Sequence, residues 1–207
     1  MIILGILISY LIGSIPTAYI FGKIYKGIDI REHGSGNVGA TNVFRVLGKG
    51  PGMIVLLFDI LKGLLVVTFI ADILKVTETF QRILLALGVV SGHNWTVFLN
   101  FKGGKGIAAS LGVLIGLALK ITFLRPVLLC TMLVWLVCFL STGFISLSSI
   151  IAAVFLPLIM VWTHQAFELT CLGILFCIFV VLRHKSNIGR LLAGQEPSVF
   201  FPFKKRK

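Results

Sequence analysis

The sequence predicts an all-α polytopic membrane protein with seven transmembrane helices, the N-terminus outside and the C-terminus cytoplasmic. Three observations carry that expectation. Of 207 residues, 57% are hydrophobic and only 13% are charged, where a soluble domain carries about 25% charged residues. Asp, Glu, Lys and Arg are absent from the whole of 126–163, a run too long for one helix of about 20 residues and suited to two. Finally, the 19 Lys and Arg residues alternate between polar segments rich and poor in positive charge.

The spans follow in order. Residues 1–22 form the first, where Pro16 is expected to kink a helix whose freed carbonyl neighbours must satisfy. The chain carries no charge before Lys23, so 1–22 reads as a retained helix and not as a signal peptide, whose positive charge precedes its apolar run. After the Gly-rich polar stretch 23–50, residues 52–74 form the second span, interrupted by Asp59 and Lys62. These two stand at i, i+3 on one face, where they can neutralise each other. Ions inside a span are functional hypotheses, and a buried pair bracing the site is the expectation here. Residues 83–98 form the third span and 107–119 the fourth, which is short and either starts inside the preceding turn or is partly re-entrant. The run 126–163 is expected to break at 141–146, and 167–182 closes the set before a basic tail. GxxxG spacings at Gly88/Gly92 and Gly112/Gly116 suit close helix packing.

With the N-terminus outside, the inner segments hold fourteen Lys and Arg, the outer turns hold Lys75, Arg82, Lys120 and Arg125, and Lys62 lies within a span. Positive charge marks the cytoplasmic side. Two crossings separate each of the polar segments 26–50, 92–106, 141–146 and 183–196, so all four are expected on the cytoplasmic face as one single domain, 1–207. The net charge of +12 suits anionic headgroups or substrates; no nucleic-acid motif accompanies it. Cys130, Cys138, Cys171 and Cys177 lie in apolar runs with no metal spacing, and no metal or cofactor is expected.

The chemistry is expected in those four segments. Gly34-Ser35-Gly36-Asn37-Val38-Gly39-Ala40-Thr41-Asn42 is dense in glycine and small polar residues; such a loop can turn its N–H groups inward around an anion, with Arg45 close enough to grip a phosphate with two donors. His93 and Asn94 end a span, Trp95 suits the interfacial aromatic belt, and Lys102 suits a snorkelling role. Gly103-Gly104-Lys105-Gly106 then opens a helix, where crowded amides, the helix N-terminus and a lysine make an anion site. It is not a nucleotide P-loop, because the GxxxxGK[ST] spacing is absent. Ser146 follows the central break, and His184, Asn187 and Arg190 recur every third residue after the last span. His33 and His164 read as surface residues, and Lys204 to Lys207 as a lipid-surface anchor.

The segments GSGNVGATN (34–42), GHNWTVFLNFKGGKGIA (92–108) and RHKSNIGRLLAGQE (183–196) resemble the signature motifs of the bacterial acyl-phosphate-dependent glycerol-3-phosphate acyltransferase family, PlsY; FDILKG (58–63) and GFISL (143–147) also fit, with Phe144 where the family pattern has tyrosine. The resemblance runs the whole chain. It implies an inner-membrane enzyme of seven helices that moves a fatty acyl group from acyl phosphate to the sn-1 hydroxyl of glycerol 3-phosphate. The products would be lysophosphatidic acid and phosphate, in the first step of phospholipid synthesis. A soluble PlsX-type enzyme would supply the acyl phosphate. On this reading Ser35, Asn37, His184 and Asn187 are catalytic. Gly34, Gly36, Gly39, Thr41, Asn42, Arg45, His93, Asn94, Gly103, Gly104, Lys105, Gly106, Ser146 and Arg190 bind substrate. The HxxxxD pair of other glycerol-phosphate acyltransferases is missing, since Val38, Phe98, Leu169 and Gly189 stand five residues after the four histidines. The seven acids are too scattered for a metal-dependent phosphatidyl transfer. The alternative is a membrane transporter of an organic phosphate.

Overall fold

The computed structural model describes residues 2–199; the basic run from Lys204 to Lys207 lies outside the described residues. The described chain is helical and divides into two compact units at residue 120.

In the first unit, α1 (Ile2–Ser14) and α2 (Thr17–Lys26) are separated by Pro16. A 3-10 turn (Ile30–Glu32) and the short α3 (Ala40–Val46) follow. α4 (Lys49–Leu65) runs through a π-helical turn (Val66–Ile70) into α5 (Ala71–Ile73). α6 (Thr79–Asn94), a 3-10 turn (Val97–Leu99) and α7 (Ile107–Lys120) complete it. Packing rests on small residues. α1 lies on α6 and α4 on α7. A Cβ added at Gly92 would strike the Tyr10 carbonyl, one at Gly13 that of Val89, one at Gly112 that of Ile60 and one at Gly63 that of Ala109. Both GxxxG pairs therefore sit in helix contacts, and backbones approach this closely only where no side chain intervenes.

At the Pro16 break the freed carbonyls find side-chain donors. Thr96 Oγ1 donates to Ser14 O at 2.6 Å and Lys62 Nζ to Ile15 O at 3.5 Å. The π-helical turn is served by Arg82, which donates to Val67 O at 2.7 Å and pairs with Asp72 at 2.7 Å. Arg82 was expected in a polar outer turn. It stands instead on α6, 9% exposed, because the wider turn leaves a carbonyl that a buried guanidinium can satisfy.

The second unit holds α8 (Arg125–Thr142), α9 (Ile145–Trp162), α10 (Phe167–Arg183) and α11 (Lys185–Leu192). The predicted break falls at Gly143, which takes a left-handed φ of 72°. α9 packs on α8 and α10. Its buried hydroxyls bond backward within the helix, Ser148 to Phe144 O and Ser149 to Ile145 O, each at 2.8 Å. Such back-bonding is what a hydroxyl needs where water is excluded.

Among the described residues five helices are long and apolar enough to cross a membrane, or up to six if the pair α10 and α11, bent by 61°, is one span. α7, the segment expected to be short, has 14 residues. The count of seven and the direction of the termini therefore stay expectations.

Candidate functional site

The loop 34–42 is built on a small apolar core. Val38 and Val43 are buried with Ala18, Ile30, Val55 and Leu99, which fastens the loop to α2, α4 and the segment after α6. Asn42, 1% exposed, is its brace. Its Oδ1 accepts Ser35 N–H at 2.8 Å while Nδ2 donates to Ile30 O at 3.2 Å and His33 O at 3.0 Å. Gly34 and Gly36 hold φ of +62° and +69°, and a Cβ at Gly34 would collide with the Asn42 amide. The amide of Gly36 is spent on His33 O at 3.0 Å. An anion at this loop would therefore meet its remaining amides and side chains. Ser35 is exposed, and Asn37 and Thr41 are half-buried. Arg45 is exposed in the last turn of α3.

The Gly-Lys turn folds back over the end of α6. Gly103 N–H donates to Asn94 O at 3.2 Å and Gly104 N–H to His93 O at 2.9 Å. The His93 ring lies directly under Gly104, so that any Cβ there would overlap Nε2. The amides of Gly103 and Gly104, expected to crowd a phosphate, thus serve to shape the turn. The donors of an anion site are left to the start of α7, where the first helical bond runs from Ser110 N to Gly106 O at 2.7 Å and the preceding amides are not used within the helix. Lys105 is half-buried beside them. Asn94 is fully buried against Gly106, which has φ of +83°. Neither Nδ2 nor Oδ1 of Asn94 has a hydrogen-bond partner, and Ser110 Oγ is likewise unpartnered. Buried amides are rarely left unsatisfied.

Behind the turn stands the ion pair. Lys62 Nζ lies 2.8 Å from Asp59 Oδ1, both nearly inaccessible. Thr17 Oγ1 donates to the same oxygen at 2.7 Å, and His93 Nδ1 is 3.6 Å away. Thr17, Val38, Lys62, His93, Gly103 and Gly104 line one narrow cleft of about 10 Å³, room for about one water. Two of the four predicted segments, the 34–42 loop and the 92–106 stretch, therefore share a wall within the first unit. Thr17 carried no local motif and was not anticipated.

In the second unit a single carboxylate organises the site. Glu196, 2% exposed, accepts from Ser146 Oγ and Asn187 Nδ2 at 2.7 Å each on Oε1 and from Arg190 Nε at 2.7 Å on Oε2. Asn187, expected to be catalytic, and Ser146 and Arg190, expected to bind substrate, converge on this carboxylate. Burial raises the Glu196 pKa, but donors from Ser146, Asn187 and Arg190, with the Arg190 charge, outweigh it and hold the group below its ordinary value. The chain after α11 returns to the central break, where Val199 N–H bonds Gly143 O at 2.9 Å. Glu196 was missed as a functional residue although the sequence marks it as a lone acid between Arg190 and the basic end.

His184 sits 3% exposed at the bend between α10 and α11. Its Nδ1 lies 2.8 Å from Val180 O. A carbonyl only accepts, so Nδ1 carries the hydrogen and the neutral ring has its lone pair on Nε2. His33 and His164 are exposed, as expected. Among the described residues no group of three or more His, Cys, Asp or Glu is placed to hold a metal ion.

Comparison with known proteins gives one answer. A family model described as glycerol-3-phosphate acyltransferase matches residues 3–194. The chain is similar to the glycerol-3-phosphate acyltransferase of Gloeobacter violaceus, 43% identical over 94% of this chain and 93% of the relative. It is 45% identical to that of Desulforamulus reducens, over 95% and 92%. Among solved structures it is similar to PlsY, an integral membrane glycerol 3-phosphate acyltransferase, in its glycerol 3-phosphate form. That likeness has a TM-score of 0.85 at 36% identity and covers 95% of this chain and 94% of that one.

Proposed function

The chain belongs to the glycerol-3-phosphate acyltransferase family, and from that premise we propose that it is a multi-pass membrane acyltransferase which moves a fatty acyl group from acyl phosphate to the sn-1 hydroxyl of glycerol 3-phosphate. The products are lysophosphatidic acid and inorganic phosphate. The enzyme lies in the bacterial inner membrane with seven spans and works at the cytoplasmic face, where a PlsX-type enzyme supplies the donor.

One observation supports this above the others: the 34–42 loop and the Gly-Lys turn, two segments suited to phosphate, line a common cleft in the first unit. Both substrates carry a phosphate. Ser35, Asn37 and Thr41, with Gly39, hold and polarise the donor's acyl phosphate, and Gly36 and Asn42 serve by fixing the loop's shape. Gly106 and Lys105, at the start of α7, and Arg45 receive the glycerol 3-phosphate. The unsatisfied amide of Asn94 gives that turn hydrogen-bonding capacity that only a loaded state would use. Within the second unit, Ser146, Asn187 and Arg190 form a polar cluster whose rotamers Glu196 fixes.

Phosphate is a good leaving group, so no covalent enzyme intermediate is required. The sn-1 hydroxyl attacks the acyl carbon directly, the acyl–phosphate bond breaks, and the hydroxyl proton passes to a phosphate oxygen of the donor, with a histidine as the side-chain alternative. Holding both substrates in attacking geometry supplies the main rate gain, and the polarising donors supply the rest.

The test is purified protein in detergent with glycerol 3-phosphate and synthetic acyl phosphate, reading release of inorganic phosphate and formation of lysophosphatidic acid. Both products are expected in equal amounts. Failure to form them overturns the reading, as a phosphate transporter would. His93→Ala and His184→Ala, made separately, test that acceptor: a loss of several orders of magnitude in kcat at unchanged KM in either variant overturns the donor phosphate as base.

A further inference from the structure

Asp59 lies inside the first unit at a junction that the reaction scheme leaves unassigned. Its Oδ1 gathers Thr17 Oγ1 at 2.7 Å and Lys62 Nζ at 2.8 Å, with His93 Nδ1 at 3.6 Å. Each of these neighbours leads elsewhere. Thr17 is the first residue of α2, directly after the Pro16 break, and α2 runs on to the 34–42 loop. Lys62 reaches back across the break to Ile15 O at 3.5 Å. His93 holds the Gly-Lys turn twice: its carbonyl accepts Gly104 N–H at 2.9 Å and its ring fills the space under Gly104.

Taking a carboxylate and an ammonium out of water costs more than their attraction returns unless further hydrogen bonds are made, so apolar residues of similar volume would serve stability at least as well. Stability alone is therefore a poor reason for this pair. What the pair does that an apolar pair cannot is fix direction: one oxygen hydrogen-bonds a hydroxyl and an ammonium, with the His93 imidazole packed 3.6 Å away.

We propose that Asp59 is a positioning residue, setting the spacing between the 34–42 loop, through Thr17, and the Gly-Lys turn, through His93, so that the two phosphate-bearing substrates lie in register. This rests on the acyltransferase reading. Asp59 touches no substrate; it acts through α2 and His93.

The decisive variant replaces the pair with apolar residues, Asp59→Leu with Lys62→Met, which leaves no buried charge unpaired. Two readouts are taken in detergent: steady-state kinetics per folded protein, and hydrogen exchange at the amides of 34–42 and 103–106. The expected result is a melting temperature close to that of the parent protein, kcat/KM for glycerol 3-phosphate lowered by about tenfold or more, the loss expected for one hydrogen bond, and faster exchange at both segments. Asp59→Asn with Lys62→Met keeps an acceptor for Thr17 and is expected to recover much of the loss. Unchanged kcat, KM and exchange in the folded Leu/Met protein would overturn the proposal, as would a loss that tracks only the unfolded fraction. If that protein does not fold, Thr17→Val decides. A severalfold fall in kcat/KM with faster exchange supports the proposal, and parent-like values overturn it. Should the parent protein itself release no phosphate, the acyltransferase reading falls, while the exchange arm still tests the tether.

Discussion

Removing the Glu196 carboxylate is the perturbation with the most clearly ordered consequences. In Glu196→Ala, three donors lose their acceptor together: Ser146 Oγ, Asn187 Nδ2 and Arg190 Nε. Ser146, 6% exposed, cannot recover its bond from water, and a stranded buried donor costs about 1–3 kcal/mol; Asn187, 3% exposed, keeps a further interaction and loses one hydrogen bond, about 0.5–1.5 kcal/mol. Arg190, with a side chain 32% exposed, rehydrates and adds about 1 kcal/mol or less. The loss is then about 2–5 kcal/mol, a large part of a typical folding free energy of about 5–15 kcal/mol. At about 2–4 °C per kcal/mol for a chain of this size, the melting temperature should fall by roughly 4–20 °C. Glu196→Gln keeps the shape and one carbonyl oxygen for Ser146 and Asn187, but turns an amide NH2 toward Arg190. Its cost should be about 1–2 kcal/mol. Thermal unfolding in detergent, followed by tryptophan fluorescence, reads both variants. A Gln variant as damaging as the Ala variant, or an Ala variant within 1–2 °C of the parent, would refute the view that this carboxylate binds the second unit's polar end together.

Further outcomes follow from the same geometry. Because the folded-state pKa of Glu196 is depressed below 4.5, its stabilisation is fully present above that value and is lost as pH falls through the lower folded pKa. Melting temperature should therefore decline with acidification below about pH 4.5, and Glu196→Gln should flatten that decline. Gly104→Ala places a Cβ into the His93 ring; KM for glycerol 3-phosphate should rise about tenfold or more with the protein still folded, and a parent-like KM would show the turn to be tolerant. Asn42→Ala strips the brace from Ser35 N, Ile30 O and His33 O. Exchange across 30–42 should quicken and phosphate release should fall by about tenfold or more, a result that unchanged exchange would contradict.

Much of this protein is legible in its residue order because it depends on local spacing. Apolar runs of membrane length, the breaks at Pro16 and Gly143, and the glycine pairs at Gly88/Gly92 and Gly112/Gly116 need only helical periodicity to be read. Asp59 and Lys62 are one turn apart, so their pairing at 2.8 Å follows from that spacing. Loop chemistry resisted the same treatment. Asn42 was legible as a polar residue in a glycine-rich loop, but not as the group that consumes Ser35's amide, since only the folded loop sets their directions. Gly103 and Gly104 were legible as a turn, yet their amides point to the end of α6. The bonds that decide the site join residues with no periodic relation: Thr17 to Asp59, 42 positions apart, and Ser146 to Glu196, 50 apart. Residue order determined the helices, their small-residue contacts and the polar segments. Tertiary packing alone determined which acceptor each donor took, because hydrogen-bond partners are selected by distance and direction in space, and neither is written along the chain.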